Sequence, residues 1–532
     1  MLTLAAAMPQ AMHHRRPSAP KFRTQLNSGA LPQFVDALPI PAIAQPTGSR
    51  PSPVDASVKL PYYRIQMRPL ESKVHRDLKP TRMWGYAAPG ADAASVAATS
   101  PGPTFDIRSG QGVLVEWVNE LPQSHFLPID HSIHGAEADK PEVRSVVHLH
   151  GGKVPPESDG YPENWFVPGK SAVCHYPNRQ DAMMLWYHDH ALGINRLNVF
   201  AGLLGAYIVR DDFEDALNLP QGKYEIPLIV YDRVFDLESQ LNYPVSGDEK
   251  NPWTPEVFGD AILVNGKLFP YLEVEPRKYR FRVLNGSNAR FFHLSLSNGV
   301  AFHQIGTDQG LLPAPVQVER VSIAPGERAD LVVDFAGQSG NSIVMKNDVA
   351  LTVMQFRVGQ SGARDASALP AALRPVPKTP ESAAVKTRKL ALVEIDDQKQ
   401  RPMTMLLNNT HWNMPVTEDP TLDSTEIWEL INTTDDSHPI HLHLVRFQIL
   451  DRRSFDVAEY WTNNNHVKFM GPAMAPEPGE AGWKDTVRAD PAMVTRIIVK
   501  FEGYVGRYVW HCHILEHEDN EMMRPFDVVA AK

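Results

Sequence analysis

Cysteine is almost absent: Cys174 and Cys512 are the only two in 532 residues, so disulfides do not organise the fold. There is no dense Lys/Arg tract either, and the net charge is −10. Nucleic acids and anionic membranes demand a concentrated positive face, so neither is expected as a partner. The longest apolar stretch after the N-terminus, around Leu203–Val209, falls far short of the roughly 20 residues a membrane span requires. The start, "MLTLAAAMPQAMHHRRPSAP", has no basic residue ahead of its short apolar run and no clean cleavage site, and Arg15–Arg16 precedes proline. No signal peptide is expected. A cytoplasmic location is favoured, with cell envelope or secretion left open. Cys-x-x-Cys pairs and Met-rich segments are missing too, and long amphipathic helices are scarce.

The length implies two to four domains. Residues 1–58, rich in Pro, Ala and Ser, suggest an irregular arm. From there on, short runs of β-branched and aromatic residues broken by Pro, Gly, Asn and Asp predict an all-β sandwich architecture. "VLVEWVNELP" (Val113–Pro122), "YRFRVLNGSN" (Tyr279–Asn288) and "TEIWELINTT" (Thr425–Thr434) each alternate apolar residues and turn at an asparagine, an internal repeat that predicts three domains. "RFFHLSL" and "HPIHLHL" follow the second and third turns, with Ser295 in the middle copy where the last has His443. The middle copy is expected to keep the fold without ligands and to serve as a spacer. The expected divisions are 59–213, 214–358, a Pro/Ala/Ser-rich linker at 359–387, and 388–532.

Four His-x-His pairs stand out: His148/His150, His188/His190, His441/His443 and His511/His513. A lone strand histidine is most often a hydrogen-bonded core or surface residue. Four pairs shift that balance, because residues i and i+2 of a strand face the same way and two imidazoles can converge on one point. Two pairs lie in the first domain and two in the last, so a cluster using all eight must sit between them. If His511 and His513 face one way, Cys512 faces the other, toward a second site whose candidate partners are His438, His517 and Met522. Cysteine with two histidines and a weak axial methionine is a blue-copper ligand set. Zinc fits poorly with the thioether, and two-His-one-carboxylate iron would leave most imidazoles idle.

"HLHGG", "WYHDH", "HPIHLH" and "HCHILEHEDNEMM", in this order, resemble the four copper signatures of the multicopper oxidases. Flanking stretches such as "FVDALPIP", "ESDGYPENWF" and "ILVNGKLFPYLEVEPRKYRFRVLN" resemble bacterial spore-coat laccases and bilirubin oxidases, from about Phe34 to the end. The resemblance implies three cupredoxin-like, Greek-key domains and four copper ions. It implies a type 1 copper on His438, Cys512, His517 and Met522, and a type 2 copper on His148 and His441. A type 3 pair would be held by His150, His188, His190, His443, His511 and His513. The donor would dock at an exposed edge of His517 and its electron would cross Cys512 to His511 and His513. Glu518 and Asp159 match the acidic groups that relay protons.

The implied activity is one-electron oxidation of phenolic, aminophenolic or tetrapyrrole donors coupled to reduction of O2 to water by a monomeric enzyme. The rivals are a cuprous- or manganous-ion oxidase, which needs acidic or Met ligands above the type 1 site, and a non-catalytic coat or copper-buffering protein. Cys174 is expected to be a buried hydrophobe, His175 unremarkable, Asp189 structural, His293 a relic, and the "MHHRR" stretch a solvated tail.

Overall fold

The computed structural model describes residues 25–89, 97–247, 252–348, 351–396 and 402–531, and its regular structure is nearly all strand. One wiring occurs three times. Lys59–Ser72 pairs parallel with Val113–Asn119, which pairs antiparallel with Ser171–Tyr176. Glu225–Arg233, Lys278–Asn285 and Arg328–Asp334 repeat the arrangement, as do Ala384–Asp396, Thr425–Asn432 and Met493–Lys500. The central strand of each trio is one of the three repeated sequences.

The asparagine ending each repeat explains why the chain turns there. The Oδ1 atoms of Asn119, Asn285 and Asn432 accept the N–H two residues on, from Leu121 (3.1 Å), Ser287 (3.0 Å) and Thr434 (2.9 Å). Their Nδ2 groups donate to the carbonyls of Phe166, Ile323 and Ala489. All three side chains are buried, so the amide satisfies backbone groups that water cannot reach.

A second sheet faces the first in each unit: Val147–His150 with Met183–Asp189 and Leu204–Arg210 in the first, Phe292–Leu296 with Ser342–Asn347 and Leu351–Val358 in the middle, and His438–Leu442 with Gly506–Cys512 and Met523–Val528 in the last. The first two units share one apolar core, whereas the last has its own around Trp428, Ile440, Trp510 and Cys512. Burying each of the large side chains Trp428, Ile440 and Trp510 contributes about 2 kcal/mol or more.

Two expected boundaries shift. Within the arm, Gly48–Pro51 is a strand, because the chain turns back and pairs it with Lys59–Tyr62. The last unit's first strand starts at Ala384, inside the expected linker, because its parallel partner reaches back to Thr425. The rest of the linker lies against the body, with Leu373 packed on Leu219, Ile305 and Leu311. Among the described residues no helix is long and apolar enough to cross a membrane.

Candidate metal centre

The four His-x-His pairs sit at the ends of four strands of the first and last units, Val147–His150 holding both of its histidines while His190, His443 and His513 each follow the last residue of a strand. His148 lies opposite His188 across one pair of strands, and His441 opposite His511 across the other. With side chains alternating, each strand presents both of its imidazoles on one face. The two faces meet, and all eight rings are buried. Their nitrogens gather into three groups, each within 4.8 Å: His148/His441/His443, His150/His188/His513 and His190/His443/His511.

What stands behind the rings fixes which nitrogen points inward. The Nδ1–H groups of His148, His188, His441 and His511 donate to the carbonyls of Asp159 (2.6 Å), Asp189 (2.7 Å), Asp485 (2.8 Å) and Cys512 (3.0 Å). His443 Nδ1 meets Asp159 Oδ2 at 2.7 Å, and His150 Nε2 meets Asp485 Oδ1 at 3.1 Å. The opposite nitrogens of His148, His150, His188 and His441, and both of His513, are buried without a hydrogen-bond partner among the described residues. Burial drives His148, His150, His188, His441 and His443 well below the usual histidine range and lowers His190 to about 4 and His513 to about 3, so these rings are neutral. Neutral imidazoles with one nitrogen anchored and the other bare are prepared for metal.

A second site shares the last of these strands. His438 and Ile440 have the parity of Cys512, not of His441, so they face the core of the last unit while the paired histidines face the first. Cys512 Sγ lies 3.6 Å from His438 Nδ1 and 3.8 Å from His517 Nδ1, and the two imidazole nitrogens are 3.2 Å apart. The centre of that triangle is about 2 Å from each atom, a metal–nitrogen bond length. Met522 is buried in the same core, and its carbonyl accepts the Cys512 N–H at 3.0 Å.

Both carboxylates named from the sequence lie beside the rings. Burial pushes Asp159 well above the usual range. Burial acts on Glu518 too, but His511 and His190 beside it hold its carboxyl down at about 2, and Asn195 donates to it at 2.7 Å. Asp189 points away from the cluster and bonds to Ser145 and Asn198. Cys174 is buried in the core of the first two units, and His293 bonds to Ser322 at 2.9 Å. The "MHHRR" stretch lies outside the described residues.

The exposed edge expected of His517 does not exist. The helix Leu515–Asp519 is wholly buried, His517 with it, and the Trp253 indole donates to the Glu516 carbonyl. Sequence patterns alone also miss Asp485, behind His150 and His441, and Thr434, whose hydroxyl lies 2.7 Å from His438 Nε2. No local motif marks Asp485, while Thr434 stands in the third repeated turn.

A soft thiolate joined to imidazoles in one site, with imidazoles alone in the other, is donor chemistry for copper. Borne on three sandwich units of one wiring, it defines a copper oxidoreductase of cupredoxin-like architecture. Known proteins agree. Multicopper oxidase profiles match residues 384–532 and 142–214. A laccase of Bacillus subtilis is 46% identical over 94% of this chain and 99% of its own. The multicopper oxidase LPR2 of Arabidopsis thaliana is 37% identical over 94% of each. The crystal structure of a multicopper oxidase from the hyperthermophile Aquifex aeolicus superposes with a TM-score of 0.75 at 29% identity, over 94% of this chain and 100% of that one. The chain belongs to the multicopper oxidase family and is a laccase-type, copper-dependent oxidoreductase with O2 as acceptor.

Proposed function

We propose that the chain, acting as a monomer, takes single electrons from phenolic, aminophenolic or tetrapyrrole donors and reduces O2 to water with four copper ions. One observation carries this reading: Cys512 turns into the triangle with His438 and His517 while its neighbours His511 and His513 turn into the histidine cluster. His438, Cys512, His517 and Met522 would hold the type 1 ion, and His148 and His441 the type 2 ion. His150, His188, His190, His443, His511 and His513 would hold the type 3 pair. Copper held there would supply one-electron chemistry at the cysteine site and four-electron reduction of O2 at the histidine cluster.

The chain's own residues supply the rest. The backbone around Cys512 is the shortest covalent path between the sites. Burial excludes water from both, which keeps partly reduced oxygen from escaping. Asp159, pushed up by burial, keeps a proton beside His443, and Glu518 is an acceptor beside His511 and His190. A cleft of about 650 Å³ bounded by Lys153, Leu444 and Gln309 reaches the residues behind the cluster, since Gln309 bonds to Asp485.

Carboxyl groups cluster near His438, and burial keeps them mostly protonated at neutral pH, so they add polar surface to that side of the site without a strong negative field. Glu394 lies 3.8 Å from His438 Nε2, and burial together with Asp436 pushes it up to about 8. Glu256, raised by burial and by Asp436 and Glu394, is close by. These carboxyls, able to give up their protons to an arriving cation, are the observation that favours a second reading, oxidation of metal ions. Steady-state turnover on one preparation separates the two: phenol oxidation is expected, and saturation by Cu(I) alone would sink it.

The ligand assignment is tested by comparing the copper-loaded protein with Cys512→Ser. The intense blue thiolate band and donor oxidation should vanish together while copper at the histidine cluster largely remains. A colourless wild type with full copper would contradict the assignment.

A further inference from the structure

We infer that the middle unit, which supplies none of the eight clustered histidines, sets the cluster's geometry through two positioning residues, Arg328 and Gln309, acting on Asp485. This rests on His150 and His441 being the copper ligands proposed above.

Asp485 stands behind both of those rings, its carboxylate facing His150 Nε2 at 3.1 Å and its carbonyl accepting from His441 Nδ1 at 2.8 Å. Wherever the aspartate sits, the two rings follow. Arg328 decides where it sits. Its guanidinium forks onto both carboxylate oxygens of Asp485. Its other N–H groups donate to the carbonyls of Met184 (3.1 Å), Gly326 (3.0 Å) and Asp308 (3.1 Å). All five donors of the planar fork are used, which leaves one placement. Gln309 Nε2 adds bonds of 2.7 Å to Asp485 Oδ2 and 2.9 Å to the Gly151 carbonyl. Met184 belongs to the first unit, Gly326 and Asp308 to the middle and Asp485 to the last, so one buried side chain joins all three.

Two glycines make the approach possible. A Cβ on Gly151 would lie 2.5 Å from Asp485 Oδ2 and 2.7 Å from Gln309 Nε2; one on Gly326 would lie 2.6 Å from His513 Cδ2. Both have left-handed backbones, φ +81 and +82. The turn of the middle unit before Arg328 is therefore seated directly against a cluster histidine, which a spacer would not require.

The test compares wild type with Arg328→Lys, which keeps the charge and loses the fork, and Gln309→Leu. Arg280→Lys serves as control, since Arg280 is an equally buried arginine of the middle unit whose partners are Glu214 and Asp330. Each protein is loaded with copper, and the type 2 electron paramagnetic resonance signal, resistance of that copper to a chelator and the blue band are recorded. Arg328→Lys should retain type 2 copper at least ~10-fold more weakly, as typical for losing a group behind a metal ligand, with the blue band unmoved. Gln309→Leu should shift the signal the same way and less, and it decides the question should Arg328→Lys not fold. Arg280→Lys should lower the melting temperature and leave the signal as in wild type. The inference is overturned if the clamp variants keep the wild-type signal and chelator resistance, or if Arg280→Lys loses type 2 copper equally. A wild type without any type 2 signal would refute the ligand assignment, and with it this inference.

Discussion

Single residues around the cluster divide into rings that hold metal and groups that hold the rings, and only the first kind had a local signature. The His-x-His pairs were legible because strand geometry turns a spacing of two into convergence. The parity of His438 with Cys512 follows the same rule. Asp485, Arg328 and Gln309 were not legible, since the bonds that tie them to one another and to His150 span more than 150 residues of chain and nothing in their own neighbourhoods repeats. Asp159 combines both properties: its carbonyl orients His148 and its carboxyl, driven up by burial, faces His443. In Asp159→Asn the amide oxygen still accepts from His443 but holds no proton to hand over. Steady-state oxygen turnover should fall by about 10²-fold, the scale of a lost general acid. Anaerobic bleaching of the blue band by donor should keep its rate in a stopped-flow measurement, and a parallel slowing there would mean that the substitution acts on electron entry.

At the scale of elements, the repeated strand ending in asparagine was the most informative signal for the fold, because the same backbone problem is solved by the same side chain three times. Asn285→Ala removes the acceptor for Ser287 N–H and the donor to two carbonyls in a buried turn. The loss should be about 2 kcal/mol or more by denaturant titration, with the blue band unchanged. Asn432→Ala should cost as much and also move that band, because Asn432 Oδ1 lies 2.9 Å from the Thr434 hydroxyl, which in turn reaches His438. If both variants leave the spectrum alone, the turn is structural only. The burial of His517 was invisible at this scale. It results from the helix Leu515–Asp519 being enclosed by Asn195, Arg196, Tyr243 and Asn288, contacts made by residues of the other two units.

For the whole molecule, polar networks join units that linkers and turns separate along the chain. Between the first and middle units Arg210, Arg280 and Arg282 meet Glu214 and Glu225, with bonds of 2.6–2.8 Å and every member but Arg210 almost fully buried. Burial alone would raise both glutamates, but the arginines win and hold each at about 2. An unfolded glutamate titrates near its ordinary value of 4.5. The unfolded chain therefore takes up protons first as pH falls, and stability from this network is complete above about 4.5 and is lost progressively toward 2. Because the first two units share one core, they should lose it together. Glu214→Gln strips one carboxylate from Arg280 and Arg282, which keep Asp330 and Glu225, so it should cost about 2 kcal/mol at neutral pH, the scale of lost hydrogen bonds to charged groups. Its stability should also fall less than that of wild type between pH 5 and pH 3. Thermal unfolding followed at several pH values checks both statements. A wild-type transition that does not move over that interval would show that the network is not what fastens the two units.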